Sequence, residues 1–187
     1  MPPDSPIDDL FSLLDRSSSL PYIGEAVSQL EHALQAAELA ARAGSSDAII
    51  AAALLHDIGH ICQRDAEPMA GLGAKHHERI GAEHLASLGF GPGVTALVAS
   101  HVSAKRWLVA RRPEYAATLS DASRQTLVYQ GGPMTEDEAT RFETEPTFRD
   151  ALRLRAWDEQ AKVVGWSGPS LESYRALLGR LLAGARA

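Results

Sequence analysis

Cysteine is almost missing: among 187 residues there is one, Cys62, so no disulfide framework can form and a reducing compartment is expected. Aromatic residues are sparse at 6%, too few for a platform that stacks single-stranded nucleic acid. Positive charge is in deficit. Lys and Arg total 18 against 24 Asp and Glu, a formal charge of −6, whereas a nucleic-acid backbone demands a basic surface. No stretch reaches the roughly 18 unbroken apolar residues of a membrane span. Met1-Pro2-Pro3-Asp4 lacks the basic start and apolar run of a secretion signal. The remaining composition is 45% hydrophobic and 22% charged, the balance of a globular fold with a sizeable core. Together these predict a cytoplasmic, acidic, single domain over residues 1–187 that binds neither nucleic acid nor membrane.

Alternating strand patterns are nearly absent and helical periodicity dominates. Asp8 to Asp15 reads as a short opening helix. A longer one begins after Tyr22 and Gly24 and stops at Gly44, a helix-ending glycine. Ser45 or Ser46 caps the next, from Asp47 to about His56; its residues are apolar on nearly every face, so it is expected to be buried. After a loop over Glu67–Gly73 come helices from Lys75 to Leu88, from Gly91-Pro92-Gly93 through His101, and from Pro113 through Tyr129. Thr135 and Glu138 form a capping box, Pro146 opens a helix carrying Trp157 and Asp158, and Ser170 to Leu182 forms the last. The expectation is all-α, with eight or nine helices around one core.

Seven histidines stand out against this background. A lone histidine is most often a hydrogen-bonded core residue or a solvated surface one. His56 differs, because it is followed by Asp57 and the two close an otherwise apolar helix. Burying two ionisable groups there is costly unless they pair or hold a metal, and a helix C-terminus favours a cation. His101 also closes an apolar run, and His32 lies in an alanine-rich helix. Imidazole and carboxylate donors on separate helices, without thiolates, suit iron, manganese or zinc rather than a structural zinc knot.

His32, His56-Asp57, His101 and Asp158 resemble, in order and setting, the HD-domain superfamily of metal-dependent hydrolases. His77-Glu78-Arg79-Ile80-Gly81-Ala82 is similar to its H-x-x-x-G-A helix start, which selects His77 over His76. The longer pattern resembles binuclear members. It implies an HD-domain helical bundle whose motif-bearing core spans about 21–160. In it Asp57 bridges two metals, one held by His32, His56 and Asp158 and the other by His77 and His101. His76 and His84 are expected to face solvent.

Around those positions lie further polar groups. Lys105 stands four residues after His101 and Arg155 three before Asp158, each one helical turn from a ligand position. His60 follows His56 by four. Three donors beside a metal site describe an anion pocket, which Ser123 and Thr126, sharing one helix face, would complete. Taken singly, each of these would be an ordinary solvated side chain on a helix surface.

With Tyr22, Glu25 and the Tyr129-Gln130-Gly131-Gly132-Pro133-Met134 segment, the set is similar to the organophosphonate oxygenases, mixed-valent di-iron enzymes. That resemblance implies two irons, Fe(II) and Fe(III), with O2 as co-substrate and a small-molecule phosphonate as partner. Tyr22 would ligate iron until substrate arrives, and Glu25 would sense the substrate's amino end. The implied reaction cleaves the C–P bond of 2-amino-1-hydroxyethylphosphonate or its N-trimethyl analogue, leaving phosphate and glycine or glycine betaine; hydroxymethylphosphonate is a smaller candidate. The alternative is a phosphohydrolase of a nucleotide or phosphate ester, in which a metal-bound hydroxide attacks phosphorus without oxidation. A third reading, an inactive signalling module, sits poorly with an intact ligand set.

Overall fold

The computed structural model describes residues 6–22, 24–62, 67–69 and 71–184; Met1-Pro2-Pro3-Asp4 lies outside them. The described residues form no strand. They build α1 (Pro6–Arg16), α2 (Gln29–Arg42), α3 (Asp47–Leu55), α4 (Gly59–Cys62), α5 (His77–Leu88) and α6 (Pro92–Arg111). Then follow α7 (Pro113–Thr118), α8 (Asp121–Tyr129), α9 (Glu136–Glu143), α10 (Phe148–Gln160) and α11 (Arg175–Gly184), with short 3-10 turns at Ser17–Ser19 and Leu171–Tyr174. No described helix is long and apolar enough to cross a membrane.

The all-α fold is as expected, but divided more finely than the predicted eight or nine helices. Local chemistry explains most of the differences. α2 starts at Gln29 rather than just after Gly24, because Ser28 and Glu31 form a reciprocal capping box that satisfies two otherwise orphaned N–H groups. Residues ahead of it form a tight turn, with Glu25 N–H on the Tyr22 carbonyl at 3.0 Å and Gly24 at φ +72°, a conformation natural to glycine. The helix expected from Pro113 to Tyr129 is broken in two: Leu119 is extended and buried, and the Ser120 hydroxyl accepts from Ser123 N–H as the cap of α8. Helix α6 runs ten residues beyond His101 and stops at Arg112, whose successor Pro113 disfavours helical backbone before it. The last two helices also start later than expected, α10 at Phe148 and α11 after a 3-10 turn.

α3 is the central element. Ala51, Ala52, Ala53, Leu54 and Leu55 are all essentially inaccessible, and α2, α6, α10 and α11 pack around them. Surrounded on every side, it has no polar face to lose. Its C-terminal end, His56-Asp57, is thereby delivered to the middle of the protein. α4 then turns back against α5 through two glycines. A Cβ on Gly59 would lie 1.9 Å from the His77 carbonyl oxygen, and one on Gly81 would lie 3.1 Å from Gly59 N. This near-contact of backbones brings the start of α5, and so His77, up to Asp57.

Replacing Gly59 with Ala is expected to force the α4–α5 contact apart and cost about 3 kcal/mol or more. Urea denaturation reads this directly; an unchanged midpoint would mean the two backbones separate without penalty.

Candidate metal centre

Five elements meet at Asp57. His32 comes from the first turn of α2, His56 from the end of α3, His77 from the first position of α5, His101 from α6 and Asp158 from the last turn of α10. All five are buried. On one side, His32 Nε2 lies 3.2 Å from His56 Nε2 and 3.4 Å from Asp158 Oδ1, while His56 Nε2 is 3.3 Å from Asp57 Oδ2. On the other, His77 Nε2 and His101 Nε2 are 3.0 Å apart, at 3.3 and 3.4 Å from Asp57 Oδ1. The two oxygens of one carboxylate thus face two separate donor clusters.

The second nitrogen of each ring shows why this arrangement calls for cations. His32 Nδ1 donates to the Ala161 carbonyl at 2.9 Å, and His56 Nδ1 to that of Ala53 at 2.9 Å. His77 Nδ1 donates to Ala74 at 3.2 Å and His101 Nδ1 to Val98 at 2.7 Å. A carbonyl only accepts, so these bonds assign the proton to Nδ1 and leave Nε2 a bare lone pair in the neutral ring. Facing lone pairs at 3.0–3.2 Å repel unless something positive sits between them. The donor set therefore fits a metal in each cluster, and the backbone carbonyls supply the orienting outer contacts that metal-binding imidazoles need.

Without metal, protons take that role. Burial opposes charge on His56, yet Asp57 and Asp158 outweigh it and raise its pKa to about 9. Burial likewise favours protonated Asp57 and Asp158. The neighbouring histidines, and for Asp158 above all Arg155, overcome it and hold both carboxyls well below the usual range.

His60 is built the opposite way. It stacks on His77, ring centroids 3.9 Å apart, and its Nε2 is 4.0 Å from Asp57 Oδ1. Its Nδ1, however, accepts the Ala74 N–H at 2.9 Å. The proton of neutral His60 therefore sits on Nε2, making it a donor facing the site rather than a ligand. Ala74 sets both tautomers, giving its N–H to His60 and taking the His77 proton on its carbonyl. A hairpin closed by Met69 N–H on Gly73 O and Lys75 N–H on Glu67 O holds Ala74 in place.

A cleft of about 50 Å3 opens onto the clusters. His60, Lys105, Ser123, Thr126 and Arg155 all line it, as do Tyr22 and Glu25. Lys105 Nζ donates to Thr126 Oγ1 at 2.8 Å; burial, reinforced by Arg155, pushes its pKa down to about 7. Arg155 is more fully engaged: Nε donates to the Tyr115 hydroxyl at 2.8 Å, while its two terminal nitrogens contact Asp158 and Glu159. The Tyr22 ring lies flat on His32 at 3.8 Å, its hydroxyl 3.3 Å from Asp158 Oδ1. His76 is exposed and His84 partly so, both away from this cleft.

Three contributors escape a reading of the sequence alone. Gln130 lines the cleft with a buried amide oxygen that has no partner. Tyr115 braces Arg155 from within α7, across 40 residues of sequence. Lys162 also lines the cleft; its place four residues after Asp158 repeats the spacing of Lys105 after His101 and is the signal that would have found it.

The HD domain family model matches residues 30–128. An uncharacterized protein of Acanthamoeba polyphaga mimivirus is 41% identical over 174 residues, 92% of this chain and 80% of that protein. A hydroxymethylphosphonate dioxygenase of Gimesia maris is 41% identical over 175 residues, 92% of this chain and 86% of the relative. The glycine-betaine-forming 1-hydroxy-2-(trimethylamino)ethylphosphonate dioxygenase of Leisingera caerulea is 36% identical over 177 residues, 94% and 90% of the two chains.

Since Asp57 serves both clusters, Asp57→Ala is expected to abolish binding of the metal pair, whereas a variant of a residue serving one cluster, His101→Ala, retains one ion. Metal analysis after desalting checks this; an Asp57 variant that keeps both ions removes the bridging assignment.

Proposed function

The chain belongs to the HD-domain family and is an oxidoreductase of the phosphonate dioxygenase type; from that premise we propose that it uses two irons and O2 to cleave the C–P bond of a small 1-hydroxyalkylphosphonate. The observation that carries this reading is one carboxylate shared between two histidine clusters, beside a cleft whose wall supplies cationic and hydroxyl donors. His32, His56, Asp158 and Asp57 Oδ2 would hold one iron; His77, His101 and Asp57 Oδ1 the other. When bound, the pair supplies Lewis acidity toward the substrate's oxygens and the redox capacity that O2 chemistry needs.

The rest falls to the chain's own residues. Lys105 and the hydroxyls of Thr126 and Ser123 hold the phosphonate by charge-assisted and neutral hydrogen bonds, and His60 adds its Nε2 proton from the opposite wall. The same donors face phosphate as it forms, so the leaving group gains charge where positive groups already stand. Arg155, bound to Asp158, Glu159 and Tyr115, keeps the Asp158 carboxylate aimed at His32 and adds positive field to the same wall. Tyr22 closes the cleft over His32 on the Gly24 turn, which gives it a hinge to leave by when substrate enters. The overall reaction balances without outside electrons: the carbinol carbon is oxidised to a carboxylic acid, O2 is reduced, and phosphorus leaves as phosphate.

Anaerobically purified, iron-loaded protein is expected to show a coupled Fe(II)/Fe(III) resonance that changes when a 1-hydroxyalkylphosphonate is added, and to release phosphate only when O2 is consumed. Two redox-silent metals, with phosphate released from a phosphate ester in the absence of O2, would establish a phosphohydrolase instead.

Lys105→Met is expected to keep both irons and weaken phosphonate binding about ten- to a hundredfold, the range for losing a hydrogen bond to a charged group. Unchanged affinity, measured by anaerobic calorimetry, would take Lys105 out of the anion site.

A further inference from the structure

The carbon end of the substrate is decided by a residue outside the donor set described so far. Lys162 follows the last turn of α10, and its Nζ lies 2.9 Å from Glu25 Oε1 and 3.8 Å from Glu159 Oε2. Both Lys162 and Glu25 line the cleft, and both side chains are largely withdrawn from solvent, 17% and 19% exposed. Glu159 is itself committed to Arg155 and accepts from the Tyr115 hydroxyl at 3.1 Å. Glu25 is therefore the carboxylate that Lys162 neutralises.

Resting on the function proposed above, we propose that Lys162 is a specificity-determining residue: by occupying Glu25 with its own ammonium, it restricts the enzyme to 1-hydroxyalkylphosphonates whose short carbon end bears no positive charge.

Two independent features agree. A substrate ammonium reaching Glu25 would meet the Lys162 ammonium already there, and like charges so placed reject a ligand strongly. Quaternary ammonium groups are recognised by cages of aromatic faces, yet among the described residues lining the cleft Tyr22 is the only phenyl or indole ring, and one of its faces is taken by His32. This departs from the cationic substrate expected when Glu25 is considered without its partner.

The test compares hydroxymethylphosphonate with 2-amino-1-hydroxyethylphosphonate on the iron-loaded full chain, by O2-dependent phosphate release and by anaerobic calorimetry. Wild type is expected to prefer hydroxymethylphosphonate in both readouts. Lys162→Met should shift the ratio of kcat/KM toward the amino compound by about tenfold or more, with a parallel change in the ratio of Kd values, while Lys162→Arg keeps the original preference. An active Lys162→Met enzyme with an unchanged ratio overturns the proposal, as does a wild type that prefers the amino compound. If Lys162→Met does not fold, Lys162→Gln replaces it under the same criteria. Wild-type protein that turns over neither phosphonate fails the reading of function, and this proposal with it.

Discussion

Four imidazole lone pairs pointed at one another inside an apolar bundle are the constraint on which this protein depends. Each is fixed by a proton given to a backbone carbonyl on the far side of the ring, so the rings cannot turn away without orphaning a buried group. Asp57 and Asp158 add negative charge at the same centre. Such an arrangement is destabilising unless positive charge offsets it; a protonated His56 does so only in part, and the donor set fits metal cations at the same centre. The apolar α3 and the glycine contact between α4 and α5 serve mainly to bring these groups together against their repulsion.

Around that centre, function is divided by tautomer. Five buried or nearly buried histidines share one chemistry, yet four offer lone pairs and His60 offers a proton. Ala74 separates the two behaviours through its N–H and its carbonyl, a distinction no side chain encodes. The cleft wall is divided by charge in the same manner. Arg155 is spent on Asp158 and Glu159, Lys162 on Glu25, and Lys105 alone is left with neutral hydroxyl company. An anionic group entering the cleft thus finds its least compensated positive charge at Lys105, while the charge of Glu25 is already offset by Lys162.

The helical class, the buried character of α3 and the capping box at Thr135 were legible because periodicity, composition and spacing along one helix are local properties; the donor positions His32, His56, Asp57, His77, His101 and Asp158, which the fold brings together, followed from the resemblance of their order to the HD-domain pattern. The register of Lys105 and Arg155 relative to His101 and Asp158 followed from helical pitch alone. Two local caps, Ser28 with Glu31 at the start of α2 and Ser120 with Ser123 at the start of α8, were there to be read; what could not be read was the role of Ala74, where one segment's backbone answers side chains of others.

The sequence by itself determined which donors exist, on which helices they stand and that the overall charge is negative. Only the tertiary structure decided which nitrogen of each histidine is free, that the two oxygens of Asp57 face different clusters, and that Glu25 is already paired. The reason is physical: a residue's chemical type travels with the chain, but its protonation and its counter-charge are set by neighbours that the fold brings from far along it.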